Sequence, residues 1–269
     1  MRIYGVDFTC APHKAKPITV ASGVLKKNVL HIEEVERHET FAAFEAFLAR
    51  PGPWLGGFDF PFSLPRELVR DLGWPPDWPA LVAHCAGMDR LAFRSRLDRY
   101  RASRPVGRKY VHRATDHPAG SSSPMKLVNP PVALMFHEGA KRLAAADVDI
   151  PGLLDRKSSR VALEAYPGLL ARKQLGIRDS YKSDTRSEQT PARRAVRRRI
   201  VQALKRGQPL AIRVRLTPKL EKELVADGSG DRLDAAICAM QAAWAWRRRK
   251  SNYGLPAGID PAEGWIVTS

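Results

Sequence analysis

The segment Ile3-Tyr4-Gly5-Val6-Asp7-Phe8 decides the fold, because it is an apolar run that carries a single acidic residue near its end. Such a run predicts a buried strand whose side chains alternate between the two faces of a sheet. Two more strands are predicted at residues 17–25 and 29–35, with a Lys26-Lys27-Asn28 turn between them. These three strands in succession predict an antiparallel meander that presents Asp7 near the end of its first strand.

Two later strands follow the meander and are separated by a long insertion. Trp54–Phe60 and Arg160–Pro167 are apolar runs that each contain an acid followed closely by proline. Residues 77–150 carry helical patterns and predict a mostly helical insertion within one domain spanning 1–269. Crossovers of this length between strands indicate an α/β protein. We therefore predict a mixed five-stranded sheet flanked by helices.

Three segments near the end of the chain complete the pattern. Residues 210–216 fit either a short strand or an extension of a helix, and the pattern leaves both open. Residues 263–267 fit an edge strand. The last strongly helical segment starts at Asp231, after the glycine-containing sequence Asp227-Gly228-Ser229-Gly230.

The charge balance of the chain predicts a polyanionic partner. There are 45 lysines and arginines against 28 acidic residues, which gives a net charge of +17. Such an excess favours binding to nucleic-acid phosphates, although a generally basic protein remains the alternative. The three cysteines match no zinc spacing and are typical of a reducing compartment. No run of about 18 apolar residues predicts a membrane helix, so we expect a cytoplasmic protein, with homo-oligomerisation left open.

Five acidic residues are candidates for a metal site. Asp7, Asp59 and Glu164 lie at or near the carboxyl ends of predicted strands, where open sheets gather ligands. Asp231 and Asp234 begin the last helix, one turn apart. A cluster of carboxylates needs a cation, and oxygen ligands suit Mg²⁺ or Mn²⁺, which can promote phosphodiester hydrolysis. The alternative is structural: strand-end acids cap turns, and Asp231 with Asp234 forms a capping box in which Asp231 is the cap.

Clustered cations are candidates for nucleic-acid contacts. The segment Pro191–Arg206 predicts an amphipathic helix with a strongly basic side, and the insertion carries a second basic group that includes aromatic residues. An ordinary solvated helix face is the alternative. The predicted nucleic-acid-binding residues are Arg193, Arg194, Arg197, Arg198, Arg108 and Lys109.

Seven short motifs are spread over nearly the whole chain. They are Gly5-Val6-Asp7-Phe8, Phe58-Asp59-Phe60-Pro61, Thr115-Asp116, Ser123-Pro124-Met125-Lys126-Leu127-Val128-Asn129-Pro130-Pro131, Glu164-Ala165-Tyr166-Pro167, Asp231-x-x-Asp234-Ala235 and Glu263-Gly264-Trp265-Ile266. Together they resemble a family of predicted ribonuclease H-like nucleases that is classed as a domain of unknown function. The terminal acids look like those of RuvC-type junction resolvases.

The resemblance implies a ribonuclease H-like fold and a divalent-metal-dependent nuclease. It carries the metal-binding role to Asp7 and Asp234, with Asp231 beside them. The chain departs from resolvases in having Asp59 where they use a glutamate, so Asp59, Glu164 or both fill that role. The expected catalytic residues are thus Asp7, Asp59, Glu164 and Asp234, and the expected metal ligands are Asp7, Glu164, Asp231 and Asp234.

Two other functions remain open from the sequence. A nucleotide-binding phosphotransferase or ATPase would share the core fold, but it needs a glycine-rich phosphate loop after the first strand. The segment Asp7-Phe8-Thr9-Cys10-Ala11 contains no glycine, which counts against this function. The third possibility is a non-catalytic nucleic-acid-binding module in which the acids are structural.

Overall fold

The computed structural model describes residues 1–269 and contains a mixed six-stranded sheet in the order β5-β4-β1-β2-β3-β6. The first three strands are antiparallel neighbours, β4 and β5 run parallel to β1, and β6 runs parallel to β3. The strands are β1 Arg2–Asp7, β2 Ile18–Lys26, β3 Val29–His38, β4 Trp54–Asp59, β5 Arg160–Glu164 and β6 Arg213–Arg215. The predicted α/β class with an antiparallel meander is confirmed.

Helices cover the sheet, and those of the insertion lie between β4 and β5, as predicted. The α-helices are α1 Phe41–Leu48, α2 Arg66–Asp71, α3 Trp78–Ala86, α4 Arg90–Ala102, α5 Asp116–Ala119, α6 Val132–Ala145, α7 Pro191–Arg206, α8 Pro218–Ala226 and α9 Asp231–Arg247. A π-helix spans Leu169–Gln174, and 3-10 helices span Arg186–Glu188 and Arg249–Gly254. No helix combines the length and the apolar character that a membrane crossing requires.

The sheet has six strands rather than the five predicted, because part of the open segment 210–216 pairs with β3. Arg213–Arg215 forms β6, which is three residues long, so its sequence carries almost no periodicity. The expected edge strand at 263–267 is reduced to a single bridge between Ile266 and Glu164. β5 also ends at Glu164 rather than continuing to Pro167.

Two hydrophobic layers cover the two faces of the sheet. Val6 and Phe58 belong to the layer that includes α1 and the insertion helices, whereas Ile3 and Leu55 belong to the layer that includes α7, α8 and α9. The alternation predicted for β1 therefore separates two real cores. Burial of both faces explains why β1 and β4 are apolar almost throughout.

Helix α9 approaches β1 and β4 closely because a glycine in each strand faces it. A Cβ atom on Gly5 would lie 2.0 Å from the carbonyl oxygen of Ala235, and one on Gly57 would lie 2.6 Å from that of Cys238. Both distances are shorter than any real contact, so only glycine permits this packing. The approach brings the first turn of α9 beside the carboxyl ends of β1 and β4.

Candidate metal centre

Three carboxylates converge at this point of the fold. Asp7 and Asp59 are paired in register as the last residues of β1 and β4, so their side chains emerge at the same edge of the sheet. Asp234 joins them from the first turn of α9. One carboxylate oxygen from each residue lies within 4.8 Å of those of the other two, a spacing that can hold a metal ion.

Burial makes this group costly to ionise. It raises the pKa of the Asp7 carboxyl well above its usual value, and the negative charge of Asp231 adds to the rise. Burial also raises the pKa of Asp59 to about 7, although the charge of Lys182 opposes the rise. The Asp234 side chain is fully buried. A cation placed among these oxygens would stabilise their charged forms, which is the condition under which such a cluster becomes a metal site.

Two adjacent residues of the protein already contact Asp234. The Tyr181 hydroxyl donates a hydrogen bond of 2.6 Å to its Oδ1, and the Lys182 ammonium group contacts its Oδ2. Burial alone would lower the pKa of Lys182, but the charges of the neighbouring acids, led by Asp234, raise it well above its usual value. The Lys182 side chain remains 44% exposed, so it faces open space beside the group. The Lys182 ammonium group thus partly offsets the charge of the three carboxylates.

Asp231 lies outside the group and is not the cap of α9. Its Oδ1 accepts a hydrogen bond of 2.8 Å from Lys16, whose ammonium group also contacts Asp184 at 2.7 Å. The N-cap is Gly230, and Asp227 supports the first turn because its Oδ2 accepts a hydrogen bond of 3.0 Å from the Arg232 N–H. The predicted cap was therefore wrong by one residue. Gly230 has a positive φ of 80°, a conformation that glycine adopts without strain.

Glu164 has a guanidinium partner instead of a place among the three carboxylates. Arg113 donates to both of its oxygens, at 2.6 and 2.7 Å, and the Phe62 N–H donates a third hydrogen bond of 2.9 Å. Arg113 also binds Asp116 at 2.9 Å, and all three charged side chains are buried. Burial raises the pKa of Glu164, and Arg113 opposes the rise. This arrangement agrees with the structural alternative for Glu164, although its partner is a buried guanidinium rather than the N–H groups of a turn alone.

Sequence reasoning missed the cations that surround the acids. Arg113, Lys182 and Lys16 each contact a predicted site residue that is at least 51 positions away in the chain. The only local signal was the Arg113-x-x-Asp116 spacing, which permits an ion pair within one turn. For Lys182 there was no signal beyond its position in a charged loop.

The predicted nucleic-acid-binding residues lie in different environments. Arg194, Arg198, Arg108 and Lys109 are exposed, and Arg193 is partly exposed and bonds Glu188. Arg197 is buried, and its guanidinium donates to the backbone carbonyls of Tyr181 and Val225 at 2.6 and 2.9 Å. Arg197 therefore cannot contact a nucleic acid. Its role is to hold the Tyr181–Lys182 segment against α7 and α8.

Comparisons with known proteins place the chain in a family without supplying a function. Neither a curated protein nor a solved structure matches it. A family model described as "Protein of unknown function (DUF429)" matches residues 5–257, a span that contains Asp7, Asp59 and Asp234. Since this span covers most of the sequence, the chain belongs to the DUF429 family.

Proposed function

We propose that this protein is a divalent-metal-dependent nuclease that hydrolyses phosphodiester bonds in nucleic acid. The observation that carries the proposal is the convergence of Asp7, Asp59 and Asp234, whose oxygens lie within 4.8 Å of one another at the carboxyl edge of the sheet. The net charge of +17 supports a polyanionic substrate, because an excess of lysine and arginine attracts nucleic-acid phosphates.

The donor set fits a hard divalent cation. All three residues offer carboxylate oxygens, and no histidine or cysteine belongs to the group, which favours Mg²⁺ or Mn²⁺ over zinc. Asp7, Asp59 and Asp234 would hold the ion. When bound, such an ion supplies an activated water and stabilises charge on the phosphoryl oxygens.

The surrounding residues prepare the site in defined ways. Tyr181 donates to one oxygen of Asp234 and so fixes the orientation of that carboxylate. Asp231 lies close enough to Asp7 for its negative charge to act on that carboxylate. Lys16 forms an ion pair with Asp231. Glu164, held by Arg113, contributes packing and position rather than a free ligand oxygen.

The topology also supports the ribonuclease H-like resemblance. Strands β3-β2-β1-β4-β5 are contiguous in that order, with an antiparallel meander followed by two parallel strands. The acids of the first strand and of the last helix meet, as the resemblance implies for Asp7 and Asp234. Asp59, rather than Glu164, joins them.

One observation favours a second candidate, the non-catalytic nucleic-acid-binding module. Lys182 and Lys16 neutralise part of the acidic cluster without any metal, as expected if the acids were structural. In that case, oligonucleotide binding would be indifferent to Mg²⁺ and EDTA, and no substrate would be cleaved.

The decisive experiment combines cleavage with direct measurement of metal binding. Wild type should bind Mn²⁺ in calorimetry and cleave labelled oligonucleotides only when Mg²⁺ or Mn²⁺ is present. Asp7→Asn, Asp59→Asn and Asp234→Asn should each lose both properties. Asp179→Asn, which removes a highly exposed carboxylate, should keep them. Equal cleavage by wild type and Asp7→Asn would rule out the proposed mechanism.

A further inference from the structure

A cationic cavity lies just beyond the end of β5. Its volume is about 760 Å³, and the side chains that line it include Arg172, Lys173 and Arg178. Its remaining lining residues are three glycines and one alanine, so the cavity contains no acid and almost no apolar side chain. We call it the cationic cavity.

The positive charge in the cationic cavity has no carboxylate partner. Lys173 donates to the backbone carbonyls of His117 and Pro118, at 2.9 Å each, and Arg172 contacts the hydroxyl of Tyr166. Arg178 makes no hydrogen bond or ion pair within the protein. Three charges that meet only neutral acceptors leave a local excess, which favours an anionic ligand.

The path of the chain places the cationic cavity next to the carboxylate group. Ala165 follows β5 and donates a hydrogen bond of 2.9 Å to the carbonyl of Phe58, the residue before Asp59. Tyr166 comes next, and its N–H donates to Gln241 of α9 at 3.2 Å. Burial raises the pKa of the Tyr166 phenol, while Arg172 lowers it and Asp59 raises it, so the ring lies within electrostatic reach of both.

Two glycines of the cationic cavity lie close to its cationic side chains. A Cβ atom on Gly168 would lie 2.7 Å from a guanidinium nitrogen of Arg172, and one on Gly120 would lie 2.6 Å from Cε of Lys173. Gly120 ends α5, whose first residue, Asp116, is held by buried Arg113. The same arginine binds Glu164, so one ion-pair network joins the end of β5 to the helix that precedes Gly120.

We infer that the cationic cavity binds a backbone phosphate of the nucleic-acid strand, beside the phosphodiester that the carboxylate group would hydrolyse. The inference rests on the proposed function for the adjacent chemistry. A strand is favoured over a free nucleotide because the cavity offers no aromatic or large apolar side chain to stack on a base. It therefore recognises phosphate chemistry without reading sequence.

The test measures binding in EDTA, so that it does not depend on cleavage. The probes are a fluorescein-labelled 20-nucleotide single-stranded DNA and its RNA counterpart, titrated by anisotropy from about 50 to 300 mM salt. The test variant is Arg172→Gln with Arg178→Gln, two exposed residues whose replacement should leave folding intact. The matched control is Lys26→Gln with Lys27→Gln, which removes two exposed charges near the start of β1, about 17 Å along the strand from Asp7.

We expect the test variant to weaken oligonucleotide binding about 5-fold at 0.1 M salt. The loss of one phosphate contact on a single strand removes about 0.7 from the slope of log affinity against log salt, which corresponds to a factor of about 5 at this salt concentration. The control should change affinity by less than about twofold. Arg172→Lys with Arg178→Lys should retain most of the affinity, because it preserves charge.

Three results would overturn the inference. The test and control variants would lose affinity equally, or the salt slope of the test variant would equal that of wild type. Alternatively, calorimetry would show the test substitutions abolishing binding of inorganic phosphate while leaving oligonucleotide affinity unchanged, which assigns the cavity to a free anion. A wild type that binds through the cavity but cleaves nothing with Mg²⁺ or Mn²⁺ would support the cavity and remove the nuclease proposal.

Discussion

Replacing Asp59 by asparagine should stabilise the metal-free protein at alkaline pH and leave it unchanged in acid. Burial raises the pKa of Asp59 to about 7 in the folded state, against about 3.9 in an unfolded chain. The folded state therefore holds this proton more tightly. The stabilisation that protonated Asp59 gives the folded state is fully present below about pH 4 and is lost as the pH rises through 7. Asparagine has nearly the same shape and no charge to bury.

The size of the effect follows from the difference in pKa. The pKa of Asp59 differs by about three units between the folded and unfolded states, and each unit corresponds to about 1.36 kcal/mol. Above pH 7, Asp59→Asn should therefore raise the free energy of unfolding by at most about 4 kcal/mol. Urea unfolding should be followed by tryptophan fluorescence in EDTA, at pH 4, 6 and 8. The difference between Asp59→Asn and wild type should grow from near zero to a few kcal/mol. Adding Mg²⁺ should stabilise wild type and narrow the difference, because the ion binds the carboxylate form.

The control for this prediction is Asp179→Asn, which changes an exposed carboxylate and should show no such pH dependence. A difference between Asp59→Asn and wild type that stays constant from pH 4 to 8 would refute the reasoning. So would an asparagine variant that is less stable than wild type at pH 8. Either result would mean that ionising Asp59 costs the folded state little free energy, because Lys182 already compensates the charge of the carboxylate.

Three further predictions concern the groups around the carboxylates. Lys182→Met should bind Mn²⁺ more tightly than wild type in calorimetry, because the ammonium group competes with the ion for Asp234. Weaker Mn²⁺ binding by the variant would contradict this competition. Arg113→Gln should lower the free energy of unfolding by about 3–5 kcal/mol, since buried Glu164 loses its partner, and adding Glu164→Gln should restore part of the loss. If the double variant is no more stable, the charge is not the cause. Gly5→Ala should destabilise the protein by more than about 2 kcal/mol, because α9 must move away from β1. The same variant should lose the stabilisation by Mn²⁺ in thermal melts. An unchanged melting temperature would show that α9 can shift freely.

The sequence was sufficient to predict that strand-end acids meet, but not which ones. Asp7 and Asp59 follow apolar runs on strands that proved parallel and adjacent, so their convergence follows from register alone. Gly5 also carried a signal, since a glycine inside a buried strand often marks a close backbone approach. Glu164 has the same local pattern as Asp59, an acid after an apolar run and before a proline.

The difference between Asp59 and Glu164 lies in contacts that no local pattern encodes. Arg113 lies in the insertion, 51 residues before Glu164, and contacts it only because of how the whole insertion folds. Strand β6 could not be predicted from the sequence either, because a strand of three residues shows no periodicity. The cap of α9 was misplaced by one residue, because Gly230, in the left-handed conformation, occupies the N-cap position and Asp231 is already the first helical residue.

The counter-ions of the acids divide them into two chemical classes. Glu164 is bound in a fork by a buried guanidinium, an arrangement that fixes both oxygens and leaves neither free for an ion. Asp7 and Asp59 have no side-chain hydrogen-bond partner of this kind, and Asp234 is paired with a lysine that remains 44% exposed. Arg113 is enclosed by the fold, whereas the Lys182 side chain is partly open to solvent. A divalent ion would therefore displace the cation at Asp234 more readily than the one at Glu164, which supports Asp7, Asp59 and Asp234 as the proposed metal ligands.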